Sequence, residues 1–181
     1  MAEGFELPET GEEHGNNPLV LPVSLTISIL AVLVAAVTLL GHRAHTEELL
    51  LQSQATDQWA FYQAKNIRLH EMQAMVDLLG TITPLDKEKN ATLREKYLKE
   101  VERYNSDKES ISEKAKDLEK ERDAVSHRAD RFDGGEALLE IGLVICSITL
   151  LTKRKAFWIA GIVVAIGGLV FAATGFLVHV Q

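Results

Sequence analysis

The chain has 181 residues, 46% of them hydrophobic, with 19 Lys and Arg against 26 Asp and Glu and a formal net charge of −7. That balance argues against a nucleic-acid binder, which would carry a basic excess. A single cysteine, Cys146, excludes an intrachain disulfide framework. The charges are segregated: 16 of the basic and 19 of the acidic residues fall between Gly41 and Gly134, leaving long uncharged stretches on either side.

The first 18 residues hold five Glu (Glu3, Glu6, Glu9, Glu12 and Glu13) and neither Lys nor Arg. Residues 1–18 are expected to be a flexible acidic leader. Leu19 to Leu40 follow, 22 residues without a charge. A helix rising about 1.5 Å per residue needs roughly 20 to cross the hydrocarbon layer, so residues 19–41 are predicted as a first transmembrane helix. A cleaved signal peptide fits poorly, because its apolar run is about 7–15 residues and follows a basic start.

Between Thr46 and Leu79 there is neither Gly nor Pro, and Ala55, Tyr62, Leu69 and Val76 recur every seven residues beside Trp59, Met72 and Leu79. This predicts a helical arm over 42–80. Gly80 closes it, a turn occupies 81–83, and Pro84 in a first helical position, followed by Asp86 and Glu88, opens a second arm over 84–133. Its seam is Tyr97, Tyr104, Ile111, Leu118, Val125 and Phe132, with Val101, Ala115 and Ala129 between and charged interruptions at Lys108 and Arg122. Arm one carries 8 charged residues in 39, arm two 27 in 50. The charge-poor arm is the more buriable, which favours a homo-oligomer with arm one inside and arm two outside over a solitary helical hairpin.

Arm two reaches the membrane at Asp133, Gly134 and Gly135. Residues 136–152 are expected to form a second span although their apolar run is short, because the basic turn 153–155 (Lys153, Arg154, Lys155) leads directly into a third span over 156–178 with Trp158 near its start. Small residues recur at steps of four and three: Ser24, Ser28, Ala31, Ala35 and Thr38 in the first span, Gly142, Cys146 and Thr149 in the second, and Gly161, Ala165, Gly168, Ala172 and Gly175 in the third. Such residues let helices approach closely in lipid. Ala31, Ala35, Gly161, Gly168 and Gly175 are the leading candidates for packing between spans. The basic turn favours a cytoplasmic location, which places the helical arms on the opposite side. Glu140, near the hydrocarbon edge, is a candidate for an ion pair with Arg43, the competing reading being a carboxylate that snorkels to the interface.

The stretch Asp57-Gln58-Trp59-Ala60-Phe61-Tyr62-Gln63-Ala64-Lys65 follows an apolar span and an Ala/Glu/Leu-rich connector. It resembles the DQWxxYQAK signature of an uncharacterised bacterial membrane-protein family, domain of unknown function four-three-three-seven. Glu13-His14, the His127-Arg128 region and the closing spans split by Leu150-Leu151-Thr152-Lys153-Arg154-Lys155 are similar too. The leader departs from the family pattern in lacking basic residues before the first span. The resemblance implies a multi-pass protein of the bacterial inner membrane, helical throughout, with no assigned activity.

On a helix the signature spreads over two faces, with Gln58, Tyr62 and Lys65 on one and Trp59 and Gln63 on another. It is therefore expected to pack against more than one neighbour, the alternative being a ligand or partner site. His42 and His45 are metal-ligand types without a matching third ligand. Neither a catalytic constellation, a cofactor site nor a metal site is read. The fold class expected is all-α with three transmembrane helices and a long extramembrane, coiled-coil-like helical hairpin between the first two. The function expected is a membrane-anchored scaffold or interaction protein, self-associating in the bilayer, with a further protein partner conceivable on the arms. A small transport- or channel-associated subunit using Glu140 is the alternative, and no enzymatic role is expected.

Overall fold

The computed structural model describes residues 18–177. The acidic leader up to residue 17 and the last position of the third predicted span, Val178, lie outside the described residues. The elements among the described residues are helical: α1 (Val20–Thr81), α2 (Lys87–Thr152), α3 (Lys155–Thr174) and a closing 3-10 turn, Gly175–Leu177. Three helices are long and apolar enough to cross a membrane: α1, α2 and the stretch Lys155–Leu177.

The predicted boundaries between spans and arms are not breaks in the backbone. The 62 residues of α1 run through Gly41, and the 66 of α2 run through Gly134 and Gly135. The start of α2 also differs from the expected one. Pro84 lies in the connector, not in a first turn, and Asp86 caps the helix: its Oδ1 accepts from the backbone N–H groups of Glu88 and Lys89, each at 3.1 Å. A carboxylate satisfies two of the unpaired donors at a helix start. Asn90 fastens the connector by donating from Nδ2 to the Leu79 carbonyl at 3.2 Å. At the other end of α2, Lys153 takes a positive φ of 54° and its N–H reaches the Thr149 carbonyl at 2.8 Å, the geometry of a helix stop.

The chain forms two compact units, one of residues 18–37 and 134–172, the other of 38–133 and 173–177. In the first unit α2 and α3 meet along small residues. A Cβ built on Gly142 would lie 2.8 Å from the Gly161 carbonyl oxygen, and one on Gly168 2.8 Å from that of Gly135. The two backbones touch, so nothing larger than hydrogen fits. Cys146, Thr149, Ala165 and Ala172 are buried along the same seam. Gly in a helix interior costs about 1 kcal/mol relative to Ala; here close approach offsets that cost. Gly134 and Gly135 thus serve contact with Phe171 and Ala172. Trp158 of α3 donates from Nε1 to Thr26 Oγ1 of α1 at 3.2 Å.

In the second unit α1 lies against α2 with position numbers rising along one as they fall along the other. Glu47 pairs with Arg128, Gln52 with Arg122, Trp59 with Glu119 and Lys65 with Asp107. Ala55, Leu69 and Val76 are buried, as are Tyr104, Ile111, Ala115, Val125, Ala129 and Phe132 from α2. The two charged interruptions of the α2 seam are accommodated by polar partners: Lys108 Nζ donates to Asn66 Oδ1 at 2.8 Å and lies over the Tyr62 ring, and Arg122 Nη1 donates to Gln52 Oε1 at 2.5 Å. The 3-10 turn adds Gly175, buried beside the Phe132 ring, and Phe176, whose ring meets that of Phe132 edge-on at 5.4 Å.

Candidate functional site

The stretch Asp57–Lys65 makes several specific contacts within the second unit. Helical spacing places Trp59, Tyr62 and Lys65 together on the side of α1 that meets α2. Trp59 Nε1 donates to Glu119 Oε1 at 2.8 Å, and its ring meets that of Tyr62 edge-on at 5.5 Å. Lys65 Nζ donates to Asp107 Oδ2 at 2.7 Å while lying 5.4 Å from the centre of the Phe61 ring and 5.2 Å from that of Tyr104. Arg103 also lies over the Tyr104 ring, its guanidinium carbon 5.0 Å from the ring centre. Each cation is thus satisfied by an anion or amide and an aromatic face together, an arrangement that tolerates partial burial.

The signature has a second side. Asp57, Ala60, Phe61, Gln63 and Ala64 are exposed, and Gln58 is half-buried. Phe61 keeps 50% of its surface exposed. The faces differ from those expected: Trp59 joins Tyr62 and Lys65 on the side engaged by α2, and Gln63 lies on the exposed side.

Of the transmembrane packing candidates, Gly161 and Gly168 lie in the α2–α3 seam of the first unit, and Gly175 is buried in the second. Ala31 and Ala35 do not join them. Both are exposed together with Ser24 and Ser28, and the covered face of α1 is the stripe Val23, Leu30 and Val37. The covered stripe of α1 is made of bulky side chains, whereas the glycine seam of α2 and α3 brings backbones together. Glu140 is exposed on α2 in the first unit and Arg43 exposed on α1 in the second; neither takes part in the salt bridges of the described residues.

The charged contact near the start of arm one joins other residues. His45 Nε2 lies 3.0 Å from Asp133 Oδ2, and Nδ1 lies 3.4 Å from Glu48 Oε2. Hydrogen bonding to Asp133 raises the pKa of His45 above 6.5, with burial opposing and the charges of Asp133 and Glu48 assisting. Spacing along α1 exposes the Glu48 contact to a sequence reading; the Asp133 contact, 88 positions away, needs the fold. Among the described residues no group of three His, Cys, Asp or Glu is placed to hold a metal ion.

A model of the family described as Domain of unknown function (DUF4337) matches residues 21–178. The chain belongs to this family. The match takes in the first apolar stretch from residue 21 onward, the other two, and both arms. Comparison of this DUF4337 chain with curated proteins and with solved structures returns no match.

Proposed function

We propose that this DUF4337 protein is a self-associating, membrane-anchored helical scaffold. In this reading three spans hold the chain in a bilayer, and residues 42–133 form an extramembrane helical hairpin that presents a surface for assembly, without catalysis. The bacterial inner membrane is its proposed site, with the hairpin on the non-cytoplasmic side because the basic residues beside the α2–α3 junction favour the cytoplasm.

The observation that carries the reading is the division of labour between the arms. The chemistry-bearing residues of the signature are spent on joining α1 to α2, which is what a scaffold requires. Yet α1 still exposes six large apolar side chains beyond Gly41, where the arm-two portion of α2 exposes two. An apolar face left open on the less charged arm indicates that the single hairpin is not the final assembly. Glu140, on the exposed side of α2 away from the seam with α3, adds nothing to the transport alternative.

Thiol labelling and mass measurement test the proposal together. In a Cys146→Ser background, Ser53→Cys and Ser110→Cys should react with an impermeant reagent on spheroplasts, and Lys155→Cys should not. The detergent-purified protein should have a mass above one copy by light scattering. Reversed labelling inverts the orientation; a strictly single-copy mass removes self-association.

A further inference from the structure

The exposed apolar residues of arm one are not scattered. Leu50, Ala64 and Leu78 belong to one set of sevens along α1, interrupted by Asp57 and Glu71; Ser53, Ala60, Ile67 and Ala74 form another, and all nine are exposed. The two sets alternate at steps of three and four, the spacing of a helix-packing seam, and they lie away from the buried stripe Ala55, Leu69 and Val76. Ile67 is 61% exposed and Leu78 53%. One helix thus carries two seams, and α2 covers one.

We infer that the uncovered seam, from Leu50 to Leu78, is the surface on which two copies of this chain join, α1 against α1, parallel and in register. The inference rests on the self-association proposed above and names its surface. Four observations select a second copy as the occupant. The stretch is about 45 Å long and a helix about 11 Å wide, so a pair would bury about 1,000 Å² in all, the lower bound for a specific interface. It is also the less charged choice: Asp57 and Glu71 are the charged residues among its nine positions, whereas arm two carries 27 charges in 50 residues. Copies anchored in one bilayer share their orientation, so a two-fold axis brings equal heights together, and Ala60 and Ala64 then meet as small residues on both sides. In the first unit, taken by itself, α1 again exposes Ser24, Ser28, Ala31 and Ala35, a face of the kind that packs closely on its like within lipid.

Asp57 and Glu71 would face their counterparts across the axis. A polar residue at a seam position specifies register and strand number at a cost in stability. Removing one such like-charge contact, as in Glu71→Leu, should strengthen the dimer.

Disulfide trapping in native membranes tests the surface, using the full chain with Cys146→Ser and single cysteines at Ala60, Ala64 or Ser106. Seam positions of a parallel pair fall within the Cα separation that a disulfide spans. With a mild oxidant, most of the Ala60→Cys and Ala64→Cys chains should run at twice the monomer mass, and Ser106→Cys, exposed on α2, should stay single. Glu71→Leu should lower the concentration at which half the purified protein is dimeric. A multi-copy mass by light scattering with trapping through Ser106→Cys, or through none of the three, overturns this surface and keeps self-association. A single-copy mass with no trapping overturns both. Trapping of Ala60→Cys and Ala64→Cys solely on a different polypeptide assigns the seam to another partner and overturns the inference.

Discussion

His45 and Asp133 hold Nε2 and Oδ2 3.0 Å apart, while the other ring nitrogen of His45 lies 3.4 Å from Glu48 Oε2. Carboxylates only accept hydrogen bonds, so both contacts are made together when both ring nitrogens carry protons, that is, by the imidazolium. The pair joins the start of arm one to the end of arm two, where Gly41 also approaches Asp133.

The pKa of His45 is raised above 6.5, first by the Asp133 hydrogen bond. A histidine with a raised folded-state pKa contributes stability that is complete below pH 6.5 and is lost as pH rises through the raised value. The side chains of His45 and Asp133 are 43% and 51% exposed, which limits the contribution to about 0.2–1 kcal/mol. Melting in detergent should therefore be higher at pH 6 than at pH 8 by about 1–3 °C more in the parent than in His45→Gln. Equal pH dependence in the two proteins would show that the pair contributes nothing.

The α2–α3 seam predicts unequal responses from adjacent glycines. A Cβ on Gly168 would lie 2.8 Å from the Gly135 carbonyl oxygen and 2.9 Å from the Leu139 nitrogen, whereas one on Gly167 meets nothing within 4 Å. Gly168→Leu should destabilise the detergent-purified protein by about 1–3 kcal/mol, since the obstructing atoms are backbone and cannot rotate aside. Gly167→Leu should leave the melting temperature nearly unchanged. Gly161→Leu should resemble Gly168→Leu, because its Cβ would sit 2.7 Å from the Gly142 carbonyl oxygen.

The inner face of the signature predicts coupling between positions 42 apart. Lys65 and Asp107 are 2.7 Å apart, with side chains 22% and 37% exposed. Lys65→Met keeps the stem over Phe61 but loses the charge, and Asp107→Asn keeps shape. Each should lower stability, and the double change should cost less than the sum by about 1 kcal/mol. Trp59→Phe removes the donor to Glu119 and should cost about 1 kcal/mol more, measured by melting in the same detergent.

The contrast between apolar and polar faces decides how much of this was legible. In the arms, Leu69, Val76, Ile111 and Val125 stand out against charged neighbours, so the seven-residue spacing identifies buried positions directly. In the first span every face is apolar, and periodicity carries no such contrast: Val23, Leu30 and Val37 are the covered residues, although the small residues Ala31 and Ala35 form the more conspicuous pattern. Gly134 and Gly135 resemble a break when read alone; their role depends on Phe171 and Ala172, more than thirty positions away. The partner of His45 is hidden for the same reason, since spacing along one helix reveals Glu48 but not Asp133.

The sequence places Pro84, Asp86 and Glu88 at the start of arm two, and the helix begins directly after Asp86. Asp86 supplies a carboxylate that receives two N–H groups at 3.1 Å and adds negative charge at the positive end of the helix dipole. Asp86→Ala should therefore cost about 1 kcal/mol and, because the connector is exposed, the loss should be local. Hydrogen exchange should accelerate at Glu88, Lys89 and Asn90 with little change near Ala115 or Ala129. Pro84→Ala, which touches neither donor, should leave protection at Glu88 and Lys89 intact; equal acceleration in both variants would mean that proline, and not the aspartate, sets the first turn.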